Sequence, residues 1–250
     1  MNSYLVRTPK GIVVIDASRN NRGGRTVARD VRRTGLPLLA VLITHEHPDH
    51  IGGLPAIRAA YRHVPVYAST QTTALMHADP DDIYQLARKY DADFPTALVY
   101  PDHPFRAGRT LTFGGVRFET RGYGNGEAGS ATSYYLPATR SLFTGDVLAD
   151  HVTPALIEGA SCDWLVSIGV LRHAYPQAKT AYPGHGAPSP VRDEEAQTRA
   201  HLRYFRTLVG SAVAPSSPGG KAVTGAEQAS IVATVNRRYP VTRRWPPCPI

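Results

Sequence analysis

The stretch "LITHEHPDHIGG", residues 42–53, places three histidines and an aspartate between an apolar run and a pair of glycines. The four side chains, in the spacing H-x-H-x-D-H, are His45, His47, Asp49 and His50. In a chain of this composition, the spacing arises by chance on the order of once in a thousand sequences. Histidines that cap the start of a helix are one interpretation. Imidazole and carboxylate groups at this density are ligands of zinc, iron or manganese, so the stretch predicts a metal site.

The run before the cluster, "PLLAVLIT", is an unbroken apolar segment of strand length. Such runs are typical of strands buried on both faces. Upstream, "SYLVR" and "GIVVIDAS" predict two strands, followed by a helix over residues 25–34. Further strands are predicted in "VPVYAS", "RTLTFGGVRFETRG", "ATSYYLPATRSLFTGD" and "KTAYPGHG", with helices over 54–62, 71–78, 79–92, 164–174 and 193–209. The pattern predicts an α/β fold with the cluster beyond a central strand's carboxyl end, where such folds place their chemistry.

Two predictions in this pattern are more local. Asp81 and Asp82 are expected in the first turn of the helix over 79–92, where carboxylates favour the helix dipole. The segment between that helix and the strand pair beginning at Arg109 is proline-broken and predicts a loop.

Length and composition indicate one globular domain. The chain has 250 residues, 42% hydrophobic and 19% charged, and no apolar run approaches the roughly 20 residues of a membrane span. We expect a domain over 1–210, followed over 211–250 by a flexible loop, "SAVAPSSPGGKAVTG", and a helix over 226–238 that packs on it. The first residues lack the pattern of a secretory signal, which predicts a cytoplasmic location. Cys162 and Cys248 fit a reducing compartment.

The formal charge of +8 allows anionic partners. The densest basic run, "RNNRGGRTVARDVRR", spaces Arg25, Arg29 and Arg33 four apart, with Val27 and Val31 on another face. This arrangement is typical of a solvated helix, and no stacking aromatics accompany the arginines. We therefore expect a small-molecule substrate, anionic or thioester-linked, and neither a nucleic-acid nor a membrane partner.

Four further candidate residues lie near predicted strand ends. Asp16 ends the second strand, Asp146 follows the apolar segment in "LFTGDVL", and His185 lies in "YPGHG". Glu127 sits in the glycine-rich "GNGEAGS". A short loop cannot surround two metals, so distant segments of this kind are expected to complete the site.

The ordered set of "THEHPDH", "GE", "FTGD" and "PGHG", after a strand pair ending in Asp16, resembles the metallo-β-lactamase-fold hydrolases, nearest to the glyoxalase II-like branch. The resemblance covers residues 2 to about 187. It implies a four-layer αββα sandwich, a single domain, with a two-metal site at one edge of the sheets. Two Zn²⁺ ions per chain are expected, with iron or manganese as alternatives.

Matching residue by residue implies roles for the cluster and its partners. His45 and His47 would hold the first metal, and Asp146 would bridge both. The second metal's ligands would be Asp49, His50 and His185. Asp16 matches an aspartate that lies beneath the metals and steadies a ligand by hydrogen bonding.

Glu127 stands where the family carries a third histidine of the first metal site. A carboxylate makes that site more oxygen-rich and could shift its preference toward iron or manganese. Three interpretations stay open: Glu127 is a ligand, the first site is vacant or weak, or another loop alignment applies. The chain also begins at a strand that family members usually precede with another.

The resemblance implies hydrolysis. Paired cations lower the pKa of a bound water toward about 7 and polarise a carbonyl. We expect a metal-bridging hydroxide to cleave a thioester, ester or lactone, with Asp49 orienting the nucleophile. His151 is a candidate proton donor or substrate contact, or else a surface histidine. Cys162 is expected to pack in a helix rather than act as a nucleophile.

Three other functions are compatible with the fold. An iron-dependent redox enzyme of the persulfide dioxygenase type is the leading alternative, although the position of the glutamate here matches neither that group nor the flavodiiron proteins. A nucleic-acid phosphodiesterase of this fold usually carries a large inserted domain, for which the chain is short. A non-catalytic binding protein that lost its first metal is motivated by Glu127.

Overall fold

Two β-sheets stack face to face in the computed structural model, which describes residues 1–152, 155–156, 158–216 and 224–238. The first half of the chain forms β1 Tyr4–Thr8, β2 Gly11–Ile15, α1 Asn21–Arg33, β3 Leu38–Leu42, α2 Pro48–Ile51, α3 Leu54–Ala60, β4 Val66–Ser69, α4 Thr70–Ala78, α5 Ile83–Tyr90 and β5 His103–Phe105. Its five strands pair in the order β1-β2-β3-β4-β5, with β1 antiparallel to β2 and the other neighbours parallel.

The second half of the chain builds the other sheet. Its elements are β6 Thr110–Phe113, β7 Val116–Tyr123, β8 Ala131–Leu136, β9 Ser141–Gly145, α6 Ser161–Ala174, β10 Thr180–Pro183, β11 Ser189–Pro190, α7 Val191–Ser216 and α8 Gly225–Arg238. The strand order is β11-β10-β9-β8-β7-β6, in which β9 and β10 are parallel and the remaining neighbours antiparallel.

The central core lies between the sheets because alternate side chains of each strand point to opposite faces. Val13 and Ile15 of β2 face the second sheet, where they share a buried cluster with Phe118 and Tyr134. Their neighbour Val14 points the other way and packs with the helices of the first half. One sheet face is therefore buried against the other sheet, and the opposite face is buried against helices.

The outer face of the second sheet is covered in the same way. Leu142 of β9 and Ala181 of β10 are fully buried with Trp164 and Ile168 of α6 and Leu202 of α7. Fully burying a leucine or isoleucine side chain contributes about 1.5–3 kcal/mol to the free energy of unfolding. The layers are thus helix, sheet, sheet, helix, and the predicted αββα sandwich is confirmed.

Most predicted elements are present, with shifted ends. The helix predicted over 25–34 begins at Asn21, because the Asn20 side chain accepts a hydrogen bond from Gly23 N and caps it. Arg25, Arg29 and Arg33 are exposed on this helix, as expected of a solvated face. Within the described residues, no helix combines the length and apolar character needed to cross a bilayer.

Three local predictions are wrong. The proline-broken segment contains β5, which pairs with β4. Helix α5 begins only at Ile83, because Asp82 adopts a left-handed backbone (φ 51°), so Asp81 and Asp82 precede the first turn. Cys162 is exposed instead of packed, and the Arg206 guanidinium donates to its Sγ at 2.6 Å.

The C-terminal prediction is wrong at its start. Helix α7 continues through 211–216, where the sequence predicts a loop, and residues 217–223 of that loop lie outside the described residues. The final helix is present as α8, which contacts α7 through the Arg238 guanidinium over the Tyr204 ring. Cys248 also lies outside the described residues.

A buried carboxyl group links α7 to the edge strand β11. Glu194 is fully buried, and its Oε1 accepts hydrogen bonds from Ser189 N at 3.1 Å and Ser189 Oγ at 2.9 Å, while its Oε2 is buried without a hydrogen-bond partner. Burial raises the pKa of Glu194 from 4.5 to about 8, despite the hydrogen bonds from Ser189. The folded protein therefore favours the neutral carboxyl.

Replacing this group should change how stability depends on pH. A pKa raised by folding contributes stability that is fully present below about 4.5 and is lost as pH rises through about 8. Because glutamine does not titrate, we expect the thermal midpoint of wild type to fall progressively behind that of Glu194→Gln between about pH 5 and pH 9. Paired melting curves across this range test this, and a constant difference would refute it.

Candidate metal centre

The predicted site residues converge at one edge of the two sheets. Strand β2 leads to Asp16, β3 to the histidine cluster, β9 to Asp146 and β10 to His185. The segment between β7 and β8, residues 124–130, carries Glu127 and is called the Glu127 loop below. Since parallel neighbouring strands end at the same edge, residues more than 130 positions apart in sequence meet there.

One group combines His45, His47 and Glu127, all buried, with ligand atoms within 4.8 Å of one another. His47 Nδ1 lies 3.1 Å from Glu127 Oε1, and His45 Nε2 lies 3.5 Å from Glu127 Oε2. Two imidazole nitrogens and a carboxylate thus face a common point. The structure thus brings Glu127 beside both histidines, and its role as a metal ligand stays a prediction.

A second group combines Asp49, His50 and His185 within the same limit. His185 Nε2 lies 2.9 Å from Asp49 Oδ2 and 3.3 Å from Asp146 Oδ2. Asp146 Oδ1 in turn lies 3.4 Å from His50 Nε2, and Asp146, His50 and His45 form a third group of close ligand atoms. Asp146 therefore lies between the two groups, as expected of a bridging carboxylate.

Unpartnered buried atoms indicate that a cation fits this cluster. The Nε2 atoms of His45, His47 and His50 and Oδ1 of Asp146 are buried without a hydrogen-bond partner. Buried polar atoms are normally satisfied, and an unsatisfied one costs about 1–3 kcal/mol. Concentrated lone pairs of imidazole and carboxylate are the donor set of a divalent transition metal.

Asp16 fixes which imidazole nitrogens are available. Its carboxylate accepts hydrogen bonds from Thr44 N at 2.8 Å and Thr44 Oγ1 at 2.9 Å, and its Oδ2 lies 2.9 Å from His50 Nδ1. Thr44 Oγ1 also lies 2.9 Å from His45 Nδ1. Because both Nδ1 atoms are engaged below the site, the Nε2 atoms face it, which is the usual role of an outer partner of a metal ligand.

The carboxylates make the centre strongly negative. Burial lowers the pKa of His50, but the charges of Asp146, Asp16 and Asp49 outweigh it and hold the pKa well above its ordinary value. Burial also raises the pKa of Glu127, although His47 opposes the rise. A bound cation would balance the same carboxylates and take the place of protons on the ligands.

Close backbone approach shapes the centre beside Asp146. A Cβ on Gly184 would collide with Asp146 Oδ1 and His50 Cε1. Gly145 has φ +51°, a left-handed backbone that glycine adopts readily, and an added Cβ there would meet Thr44. The glycines of "TGD" and "PGHG" therefore give space to the predicted ligands.

The amino-terminal residues brace the segment that carries His185. Asn2 N donates to Gly184 O at 2.6 Å, and the Asn2 side-chain amide donates to Pro183 O at 3.0 Å and to Gly186 O at 2.6 Å. Tyr4 Oη adds a hydrogen bond to Pro183 O at 2.6 Å. Four hydrogen bonds from the first strand region thus hold the turn after β10.

The structure places His151 on the surface. Its side chain is 79% exposed, its backbone is left-handed at φ 50°, and its Nδ1 lies 2.7 Å from Asp150 Oδ1. Its backbone N–H donates to Gln197 Oε1. Its role as a proton donor stays a prediction.

Three residues beside the ligands were missed from the sequence. Thr44 ends the apolar run "PLLAVLIT" and Glu46 stands between His45 and His47, and the sequence predicts no role for either. Glu158, whose Oε1 lies 3.6 Å from His47 Nε2, lies in an irregular segment with no motif. Thr44 and Glu46 could have been suspected, because each is a hydrogen-bonding residue next to a cluster histidine. Nothing in the sequence points to Glu158.

Several known proteins resemble this chain in sequence. A probable metallo-hydrolase of Streptococcus pyogenes serotype M6 is 25% identical over 198 residues, covering 78% of this chain and 82% of the relative. Exodeoxyribonuclease WalJ of Streptococcus pneumoniae is 29% identical over 121 residues, 48% of this chain and 40% of WalJ. Hydroxyacylglutathione hydrolase of Thermosynechococcus vestitus is 28% identical over 138 residues, 55% of this chain and 46% of the relative. The chain spans less than half of the latter two proteins.

Solved structures share the fold. A metallo-beta-lactamase from Pontibacter korlensis matches with a TM-score of 0.66 at 23% identity, covering 80% of this chain and 86% of that one, which concerns the fold alone. The family model of the Metallo-beta-lactamase superfamily matches residues 2–216. The match spans every predicted ligand, and the likeness to hydroxyacylglutathione hydrolases agrees with a glyoxalase II-like branch. The chain belongs to the metallo-beta-lactamase superfamily.

Proposed function

We propose that the protein is a dinuclear metal-dependent hydrolase that cleaves a thioester, ester or lactone. The observation that carries the proposal is the pair of ligand groups joined at Asp146, with unpartnered imidazole nitrogens facing both. Superfamily membership and a hydroxyacylglutathione hydrolase among the relatives support the reaction class. Hydroxyacylglutathione is one candidate substrate among several.

The ligands divide into two sets. His45, His47 and Glu127 would hold the first metal, and Asp146 would contact both. The second metal would be held by Asp49, His50 and His185. Zinc is the proposed metal, with iron or manganese favoured at the first site to the extent that Glu127 makes it richer in oxygen.

Two cations at such a centre, when bound, supply an activated water and polarise a substrate carbonyl. The residues of the chain provide orientation and charge. Asp49 is partly buried, its Oδ2 lies 2.9 Å from His185 Nε2, and it is assigned to orient the attacking water. Asp16 and Thr44 hold the His50 and His45 rings in position from below. The exposed His151, braced by Asp150, is the candidate donor of a proton to the leaving group.

The setting proposed for this reaction is cytoplasmic, with a small-molecule substrate that is anionic or thioester-linked. An exposed Cys162 suits a reducing compartment, which supports that location.

A substrate panel tests the reaction class. We expect purified protein to hydrolyse at least one activated thioester, ester or lactone, to lose that activity after chelation, and to regain it with Zn²⁺. Asp146→Asn should lower kcat/KM about 100-fold or more, because it weakens a ligand shared by both groups. Turnover of a persulfide with oxygen uptake, or degradation of single-stranded DNA, without any ester or thioester hydrolysis, would replace the proposal with the corresponding alternative.

Metal stoichiometry tests the role of Glu127. Elemental analysis of protein purified without added metal should give about two metal ions per chain in wild type and about one in Glu127→Ala, because a site that loses one of its few ligands binds weakly. Glu127→His, which supplies the imidazole usual in the family, should restore the second ion.

The matched control for this measurement is Glu119→Ala, which removes a carboxylate of β7 that pairs with Arg117 on the surface. It should leave the metal content at two. Two ions in Glu127→Ala would refute the ligand assignment while leaving the hydrolase proposal intact, and no metal in wild type would refute both.

A further inference from the structure

Glu46 is the residue between the two first-group histidines, and its carboxylate is buried with only 5% of the residue exposed. Its partners lie on the Glu127 loop. Ser130 N donates to Oε1 at 3.3 Å, and Ser130 Oγ donates to Oε2 at 3.4 Å. A buried carboxylate is costly unless hydrogen bonds satisfy it, so this contact fixes the relative placement of two segments.

A chain of hydroxyl groups extends this contact into α4. Ser69 Oγ donates to Thr72 Oγ1 at 2.9 Å, and Thr72 Oγ1 lies 2.8 Å from Ser130 Oγ. With every hydroxyl donating onward, the chain ends at the Glu46 carboxylate, which only accepts when ionised. Each bond in such a chain polarises the next. The Glu127 loop is thereby connected both to the start of α4 and to the histidine segment.

The fit around Glu46 is tight. A Cβ on Gly129 would lie 3.0 Å from Glu46 Oε1 and 3.0 Å from Leu75 Cδ1, so the loop backbone packs directly on the carboxylate. On the other side, Tyr84 Oη donates to the Glu46 backbone carbonyl at 2.8 Å. The Glu46 backbone and side chain are therefore both held in place.

The Glu127 loop has no helix or strand of its own. Glu127 is three residues from Ser130, and Glu46 is covalently joined to His45 and His47. We propose that Glu46 is a positioning residue for the first metal group, its carboxylate fixing the Glu127 loop so that Glu127 meets the two histidines. The inference rests on the proposed dinuclear site.

Cobalt titration tests the inference without a substrate. Co²⁺ added to the metal-free protein gives visible bands that report coordination, and the bands missing in Glu127→Ala identify the first site. Glu46→Ala should weaken Co²⁺ binding at that site about 10- to 100-fold while the second site keeps its affinity. Ser130→Ala should shift the affinity in the same direction.

Two variants separate positioning from general destabilisation. Glu46→Gln keeps an oxygen for Ser130 N and an amide that donates to Ser130 Oγ, with the hydroxyl chain reversed, so first-site affinity should stay within a few-fold of wild type. Glu195→Ala is the matched control, because Glu195 is a buried carboxylate that pairs with Arg199 at 3.0 Å on α7. Its first-site bands should match wild type even where its thermal midpoint falls.

The outcomes are distinct. First-site affinity unchanged in Glu46→Ala, with only a loss of thermal stability like that of Glu195→Ala, overturns the inference. Equal weakening in Glu46→Gln and Glu46→Ala also overturns it, because charge rather than hydrogen-bond geometry would then be responsible. Wild type that binds two Co²⁺ ions but cleaves no thioester, ester or lactone would refute the proposed reaction, and the loss specific to Glu46→Ala would still support the inference.

Discussion

The candidate centre depends on the hydrogen bonds of the buried Asp16 carboxylate. Asp16 follows β2 with a left-handed backbone (φ 59°), a conformation that aspartate tolerates better than most residues. Its carboxylate accepts a hydrogen bond from Thr44 N, just beyond the end of β3. The same carboxylate holds His50. One side chain therefore aligns two parallel strands and a ring nitrogen, so that the strand register and the geometry of the second ligand group are set together.

Around Asp16, the cost of burying charged and polar groups is offset by the contacts these groups make with one another. Burying a single carboxylate or imidazolium is unfavourable. Here each imidazole lies beside a carboxylate, which reduces that cost. The outer partners Asp16, Thr44, Glu46 and Glu158 restrict the freedom of these groups. The candidate metal centre, whose residues lie beyond the strand ends, is thereby connected to the sheets beneath it.

The sequence predicted those features whose signals are local. Apolar runs such as "PLLAVLIT" identify buried strands, and the H-x-H-x-D-H spacing predicts metal ligands because metal chemistry limits the residue types. Two long-range contacts carry no sequence signal: Glu158 reaches His47 from an irregular segment, and Ser130 meets Glu46 across 84 positions. Strand β5 was missed because a three-residue parallel strand that contains Pro104 carries no periodicity. Helix α7 continues through 211–216 although serine and proline there favour a loop, so propensity alone does not predict where it ends.

The hydrogen bonds of Asn2 to the turn that carries His185 have a consequence for folding. They join residues about 180 positions apart, and the entropy of closing so long a loop must be overcome before the contact forms. Asn2 finds these partners only after β10 and the turn beyond it have been synthesised. Pairings between such distant segments slow folding, because the loop between them must close first. A nascent chain that ends before residue 185 lacks His185 and cannot form the second ligand group.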